Sequence, residues 1–139
     1  MKSEVTSKLK DLEIYVKLLK GYSRHDIKEI ESDLTLRGAV ERYLQLAIET
    51  TIEISEMIIA HEGYKKPETY REVIEILGKE GVLKKPFAKG FALAAGFRNI
   101  LVHRYDEIDL EELYRHLQKD IKDFDEFARQ ISSFLNKKA

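Results

Sequence analysis

The sequence contains no cysteine, and only two of its 139 residues are proline and seven are glycine. Without cysteine there is neither a disulfide framework nor a thiolate metal site. So few turn-forming residues favour a small number of long helices over many short strands. No apolar run approaches the roughly 20 residues of a membrane span. The first residues, MKSEVTSKLKDLEIYVK, are too charged for a signal peptide. We therefore predict a soluble, cytoplasmic protein with no membrane partner.

A strong excess of one charge is also missing, because 24 basic and 25 acidic side chains leave a net charge of −1. The field of the whole molecule therefore does not indicate a polyanionic partner, and any nucleic-acid binding requires a local patch. One set of basic residues could form such a local rim, or could be ordinary solvated side chains. It comprises Lys84, Lys85, Lys89, Arg98 and Arg104.

Apolar residues make up 43% of the chain, which is ample for one core in a single domain spanning residues 1–139. They recur at three- and four-residue steps, which predicts helices. Long helices are predicted from about Ser3 to Lys20, from about Leu36 to Ala60, from Pro86 and from Asp109. Shorter helices are predicted after Ser23, with Asp26 three residues on as a capping pattern, and from Pro67. The fold class is all-α, an up-and-down bundle of four to five helices.

Small residues are concentrated in the segment that Pro86 opens. They are Gly90, Ala92, Ala94, Ala95 and Gly96. Glycine inside a helix costs about 1 kcal/mol relative to alanine, so its presence suggests a packing reason. We predict that another helix crosses this segment closely.

The same segment continues into GFRNILVHRYDEID, residues Gly96 to Asp109, where polar side chains bracket an apolar run. We predict that Ile100, Leu101 and Val102 anchor the helix. The candidate site residues are Arg98, Asn99, His103 and Tyr105. Arg98 and His103 are five residues apart, about 140° around a helix axis. They converge only if the helix frays or turns near His103, or if a partner helix lies between them.

The chemistry of these side chains suits a phosphodiester. Arginine is a permanent forked cation that matches a phosphate. Histidine exchanges a proton near neutral pH, and tyrosine can hydrogen-bond or accept a covalent modification. Together they could assist transfer of a phosphodiester to an adjacent 2′-hydroxyl without a metal. One histidine cannot be both general acid and general base in one step. The catalytic interpretation therefore needs a second group or two copies of the site, as in a dimer whose two-fold axis passes near the motif.

A structural interpretation of the motif has about equal weight on these residues alone. Arginine and histidine at a helix C-terminus interact well with the helix dipole. In this interpretation Tyr105 fills a gap between helices, and Asp106 and Glu107 neutralise Arg104.

The other histidines, His25, His61 and His116, have no recognised metal-ligand spacing. We interpret them as surface residues. We predict no metal site and no cofactor.

The motif resembles the R-x4-H-x-Y signature of the HepT-like toxins of the HEPN superfamily, with Arg98, His103 and Tyr105 in its three positions. A polar residue such as Asn99 also suits that family. Three blocks extend the resemblance from about Leu36 to the end of the chain: LRGAVERYLQLAIETTIEISEMIIA, YREVIEILGKEGVL and FRNILVHRYDEID.

The resemblance implies an all-α homodimer whose two motifs line one cleft, and a metal-independent endoribonuclease that acts as a toxin on RNA. It implies Arg98 and His103 as the catalytic pair and Asn99 as a supporting polar residue. The implied partner is a MntA-type nucleotidyltransferase antitoxin, which would neutralise the toxin by transferring AMP to Tyr105. A different class stays open, namely a non-catalytic helical dimer that binds a nucleotide or a nucleotidyltransferase partner. A structural bundle whose motif only caps a helix is the third interpretation.

Overall fold

The computed structural model describes residues 1–138, except for the side chain of Tyr105. Every regular secondary-structure element in the described residues is a helix, which confirms the all-α prediction. The helices are α1 (Lys2–Tyr22), α2 (Ile27–Ser32), α3 (Leu34–Glu62), α4 (Tyr70–Lys79), α5 (Lys85–His103) and α6 (Leu110–Lys138), with a 3-10 helix at Tyr105–Glu107. The predicted count of four to five helices was too low, because all six segments that were predicted to be helical form helices.

α2 begins as a separate short helix because Asp26 and Glu29 cap its N-terminus reciprocally. The Asp26 carboxylate accepts from the Glu29 backbone N–H at 2.9 Å, and the Glu29 carboxylate accepts from the Asp26 N–H at 3.2 Å. Such a capping box satisfies two N–H groups that a helix start leaves unpaired. The predicted cap at Ser23 was wrong, since that hydroxyl donates to the Lys20 carbonyl at the end of α1.

α3 is the central element and packs against each of the other five α-helices. Its buried face is apolar, with Leu44, Ala47, Ile48, Ile54 and Ile58 almost fully inaccessible to solvent. At its end Gly63 adopts φ 73°, a left-handed conformation that glycine tolerates. α3 therefore extends two residues beyond its predicted end at about Ala60.

α4 and α5 form the close helix crossing. A Cβ built on Gly78 of α4 would lie 2.6 Å from the Cβ of Ala88 on α5. The predicted close approach to the small-residue segment is therefore confirmed at Ala88, whereas Gly90 has open space around it. Pro67 does not begin α4 as predicted. The helix begins three residues later, where the Thr69 hydroxyl accepts from the Glu72 N–H at 3.0 Å.

α5 carries the motif at its C-terminal end. Lys84 precedes its first residue and Arg104 follows its last, so a rise of 1.5 Å per residue separates them by about 30 Å. The suggested basic rim is therefore divided between the two ends of one helix. No helix in residues 1–138 is both long and apolar enough to cross a membrane.

Candidate functional site

The C-terminal turn of α5 is held to the core by one side of the motif. Leu101 is 5% exposed and Phe97, one turn earlier, is 2% exposed. Ile100 and Val102 are only half-buried. The prediction that all three apolar residues anchor the helix was therefore too broad. Leu101 is the anchor, and it fixes the orientation of the polar residues around it.

Arg98 and His103 come together at this end of α5. Arg98 Nη1 lies 3.5 Å from His103 Nε2. A guanidinium can only donate, so Nε2 is the acceptor in this contact. α5 remains helical through His103 and ends at Arg104, whose φ of −132° departs from helical values. The helix end predicted near His103 is thus present, and the long arginine side chain spans the angle between the two residues.

Two residues that the sequence did not indicate hold the Arg98 guanidinium. Its Nε and Nη2 both donate to Glu49 Oε2 on α3, at 3.1 and 3.0 Å. Its Cζ lies 5.0 Å from the ring centroid of Tyr70, the first residue of α4, within cation–π range. Forty-nine positions separate Glu49 from Arg98, so no local spacing could reveal this pair. Together these contacts leave Nη1 directed towards the imidazole.

The surface beside Arg98 is acidic. Glu49, Glu53, Glu56, Tyr70 and Arg98 line a groove of about 220 Å³. Burial and the nearby Glu53 carboxylate raise the pKa of Glu56. Glu53 itself forms an ion pair with Lys8 of α1. Carboxylates therefore surround one side of the candidate site.

Asn99 is exposed and lies in an adjoining groove of about 290 Å³. That groove shares Glu56 and Tyr70 with the first one and adds the loop before α4, including Glu68 and Thr69. The predicted supporting residue thus lies on the acidic side of α5, next to the Arg98 contacts. The predicted modification site, the Tyr105 side chain, lies outside the described residues.

The histidines outside the motif differ from one another. His25 and His61 are exposed and lie beside Glu29 and Glu62, as surface residues do. His116 does not fit the surface interpretation. It is 18% exposed, stacks on Phe97 at 4.0 Å and contacts the carboxylate of buried Asp120. For the part of the chain that is described, no three His, Cys, Asp or Glu side chains are grouped to hold a metal ion.

Comparison with known proteins assigns the chain to a family. The model of the family described as "Ribonuclease HepT-like" matches residues 12–131, which include every helix that contributes to the site. The chain belongs to the ribonuclease HepT-like family. The predicted resemblance of the chain to the HepT-like family is thereby confirmed.

Two relatives of this HepT-like protein are nucleases by name. The tRNA nuclease HepT of Aphanizomenon flos-aquae is 31% identical over 121 residues, covering 87% of this chain and 82% of the relative. The mRNA nuclease HepT of Shewanella oneidensis is 28% identical over 108 residues, covering 78% of this chain and 81% of the relative.

Solved structures share the fold. A tri-AMPylated HEPN toxin of Shewanella oneidensis, in complex with an MNT antitoxin, aligns with a TM-score of 0.85 and 24% identity over 96% of this chain and 99% of that one. A cytosolic protein of unknown function from Bacillus subtilis, YutE, aligns with a TM-score of 0.86 and 23% identity over 99% of this chain and 92% of that one. At these identities the likeness shows the fold alone.

Proposed function

We propose that this HepT-like protein is a metal-independent endoribonuclease and the toxin of a toxin–antitoxin pair. The observation that carries the proposal is the approach of Arg98 Nη1 to His103 Nε2 at the end of α5. It joins a phosphate-binding group to a proton-transfer group without any metal ligand between them. Membership in the ribonuclease HepT-like family and the two relatives named as nucleases support RNA as the substrate.

The chemistry follows from the roles of the two side chains. An imidazole of His103 accepts the proton of a ribose 2′-hydroxyl, and the 2′-oxygen attacks the adjacent phosphorus. The bond from phosphorus to the 5′-oxygen breaks, and the leaving oxygen takes a proton from a general acid. Arg98 binds the non-bridging oxygens and stabilises the charge that develops on them. The products carry a 2′,3′-cyclic phosphate and a 5′-hydroxyl.

A homodimer supplies the missing acid in this scheme. One imidazole cannot donate and accept in the same step, and no second histidine contacts His103 within the described residues. His103 is exposed at the end of α5, where a second copy can approach. A two-fold axis beside this residue would put the second imidazole across the same cleft.

The proposed partner is a MntA-type nucleotidyltransferase antitoxin that transfers AMP to Tyr105. Its support is the Shewanella structure, a tri-AMPylated HEPN toxin in complex with an MNT antitoxin. Tyr105 follows His103 by two residues, so a nucleotide attached there would add phosphate charge beside the cleft. Intact mass after co-expression with such an enzyme tests this step. Added AMP residues that are lost in Tyr105→Phe support it, and unmodified wild-type protein contradicts it.

The nuclease proposal is tested by incubating the purified protein with RNA in EDTA. We expect cleavage that survives chelation and disappears in His103→Ala. His61→Ala is the matched control, because that histidine is also exposed at a helix end and lies beside a glutamate. Cleavage by the control should equal wild type. Wild-type protein that leaves tRNA and mRNA intact, or cleavage that persists in His103→Ala, would overturn the proposal.

A further inference from the structure

A second groove lies on the other side of α5, between α4, α5 and α6, with a volume of about 530 Å³. Arg71 contributes from α4, Leu93 and Ile100 from α5, and Arg115, His116 and Lys119 from α6. Leu93 is 52% exposed and gives the groove an apolar wall. Ile100 precedes His103 by three residues, so this wall of the groove lies within one helical turn of the candidate site.

This groove is basic, whereas the groove beside Arg98 and Glu49 is acidic. Three permanent cations, Arg71, Arg115 and Lys119, line it with a single carboxylate, Glu112. Lys119 forms an ion pair with Asp123, in which Nζ lies 3.3 Å from Oδ2. Neither arginine takes part in any of the ion pairs found in residues 1–138. Two forked cations are therefore open to an anionic ligand.

The acidic groove on the Arg98 side offers a nucleic-acid strand a less favourable approach to His103 than the basic groove does. A nucleic-acid strand carries one negative charge per phosphate, and most of its binding free energy comes from neutralising those charges. On that side Arg98 and Lys8 are already paired with Glu49 and Glu53, so a strand would find these cations engaged and the carboxylate of Glu56 beside them. A strand that arrived along Arg71 and Arg115 would meet cations.

His116 adds a fixed polar group to the wall of the groove. Its ring stacks on buried Phe97 with an interplanar angle of 12°, and its Nδ1 lies 2.9 Å from Asp120 Oδ2. The carboxylate of Asp120 is 1% exposed and therefore rigidly enclosed. The imidazole is thus held in one orientation, and Nε2 is the nitrogen left for a ligand.

We propose that this groove is an RNA-binding subsite that holds the strand beside the cleavage site. Arg71 and Arg115 bind backbone phosphates, while Leu93 and Ile100 provide the apolar surface against which a base or ribose packs. His116 donates or accepts one hydrogen bond in the groove. The inference rests on the proposed function, because it names how the same substrate is held.

The test measures binding rather than cleavage. Single-stranded RNA with a fluorescent label is titrated with the His103→Ala protein in EDTA, and anisotropy is recorded over a range of salt concentrations. Adding Arg71→Gln and Arg115→Gln to this protein should weaken binding on the order of tenfold for all sequences. The slope of log K against log salt should fall by about 1.4, or about 0.7 for each lost phosphate contact.

Arg24→Gln with Arg42→Gln is the matched control, since both arginines are exposed, neither lines the groove and the loss of charge is the same. It should leave the salt slope nearly unchanged, and thermal melts should show both double variants folded. Equal weakening by the two double variants would overturn the subsite, as would a protein that binds no RNA. A change in dimer dissociation with unchanged RNA binding would assign the groove to a second copy of the chain and also overturn it.

The outcomes for the nuclease and for the subsite are separable. Wild-type protein that binds RNA through Arg71 and Arg115 but leaves it uncut would remove the nuclease proposal and keep the subsite. Cleavage of RNA by wild type, with binding that is insensitive to the two arginines, would do the reverse.

Discussion

Glu49 occupies two of the three nitrogens of the Arg98 guanidinium, and both contacts use the same carboxylate oxygen. The side chains of this pair are 26% and 18% exposed, so the pair is partly shielded from solvent. Glu49 therefore does two things at once. It orients Arg98 towards His103, and it offsets the positive charge that a phosphate would bind.

Two substitutions of Glu49 separate these effects. Glu49→Gln keeps an acceptor of the same shape and removes the charge, so KM for RNA should fall while kcat stays within about threefold of wild type. Glu49→Ala removes the acceptor and frees Arg98 to turn away, so kcat should fall on the order of tenfold to a hundredfold. Steady-state kinetics on one RNA substrate measure both. Identical behaviour of the two variants would contradict an orienting role.

Asp120 is a buried carboxylate whose Oδ1 has no hydrogen-bond partner in the described structure. Burial raises its pKa, and the contact with His116 offsets this only in part; Lys119 and Asp123 also face it. In the unfolded chain an aspartate titrates near about 3.9. Because the folded pKa is the higher one, ionisation of Asp120 costs stability as the pH rises through that range. At lower pH the carboxyl is neutral in both states and the cost disappears.

Asp120→Asn removes this cost while keeping the shape of the side chain. Relative to wild type, we expect equal stability near pH 3.5 and a gain of up to about 1 kcal/mol above pH 6. Urea unfolding across that range measures the difference. Asp125→Asn is the control on the same helix, because its carboxylate is 46% exposed and is not among the groups that face Asp120. It should give no gain as the pH rises. An Asp120→Asn variant whose stability relative to wild type does not increase with rising pH would contradict the assignment.

At the scale of residues, the sequence was sufficient for local spacing and insufficient for contacts between helices. The interval from Arg98 to His103 indicated the pair that meets at 3.5 Å. Glu49 and Tyr70 were missed because the contacts that bring them to Arg98 depend on how α3, α4 and α5 pack. His116 was misassigned although Asp120 is only four residues away, because the stacking on Phe97 depends on how α5 and α6 pack.

At the scale of elements, the crossing of α4 and α5 depends on the lack of a side chain at Gly78. A Cβ there would lie 2.6 Å from the Cβ of Ala88, which is far shorter than ordinary contact. By contrast, nothing within 4 Å would meet a Cβ at Gly90, one half-turn further along α5. Both glycines are helical, so the intrinsic gain from alanine is the same.

The two glycines predict opposite results on substitution by alanine. Gly90→Ala should stabilise the protein by up to about 1 kcal/mol, from helix propensity alone. Gly78→Ala should destabilise it by about 1–3 kcal/mol, because overpacking at the crossing outweighs the same propensity gain. Chemical denaturation of both variants measures the difference. Stabilisation by both substitutions would mean that the two helices can separate at no cost.

The long helices were predictable because their apolar residues recur with the helical period over many turns. The ends of α3 and the start of α6 lie within two residues of the predicted positions. The first residues of the two short helices were not predictable in this way, because a single capping residue decides where each one begins. Asp26 and Thr69 determined the starts of α2 and α4, whereas Ser23 and Pro67 were the stronger signals in the sequence.

At the scale of the whole molecule, a net charge of −1 conceals two grooves of opposite sign on either side of α5. Composition alone gave no reason to expect a polyanionic substrate, since acidic and basic residues cancel in the sum. The fold separates them, with glutamates of α3 beside Arg98 and arginines of α4 and α6 on the other side. The net charge therefore gives no information about the charge of either groove.

The proposal that two copies of His103 share one cleft gives a test at the same scale. Wild-type and His103→Ala chains carrying different tags can be co-expressed, and the mixed dimer isolated by two affinity steps. If the acid and the base are the two imidazoles of one cleft, the mixed dimer should cleave RNA roughly a hundredfold more slowly than wild type, or worse. Single-turnover cleavage rates measure this.

A mixed dimer of wild-type and His61→Ala chains, isolated with the same tags, is the control and should cleave at the full rate. If each chain instead acted alone, the dimer with one His103→Ala chain would keep half of the wild-type rate. A value near one half would therefore reject the shared cleft while leaving the nuclease itself in place. A protein that cleaves RNA as a monomer at nanomolar concentration would reject it as well, because a single imidazole would then serve both steps with some other group as its partner.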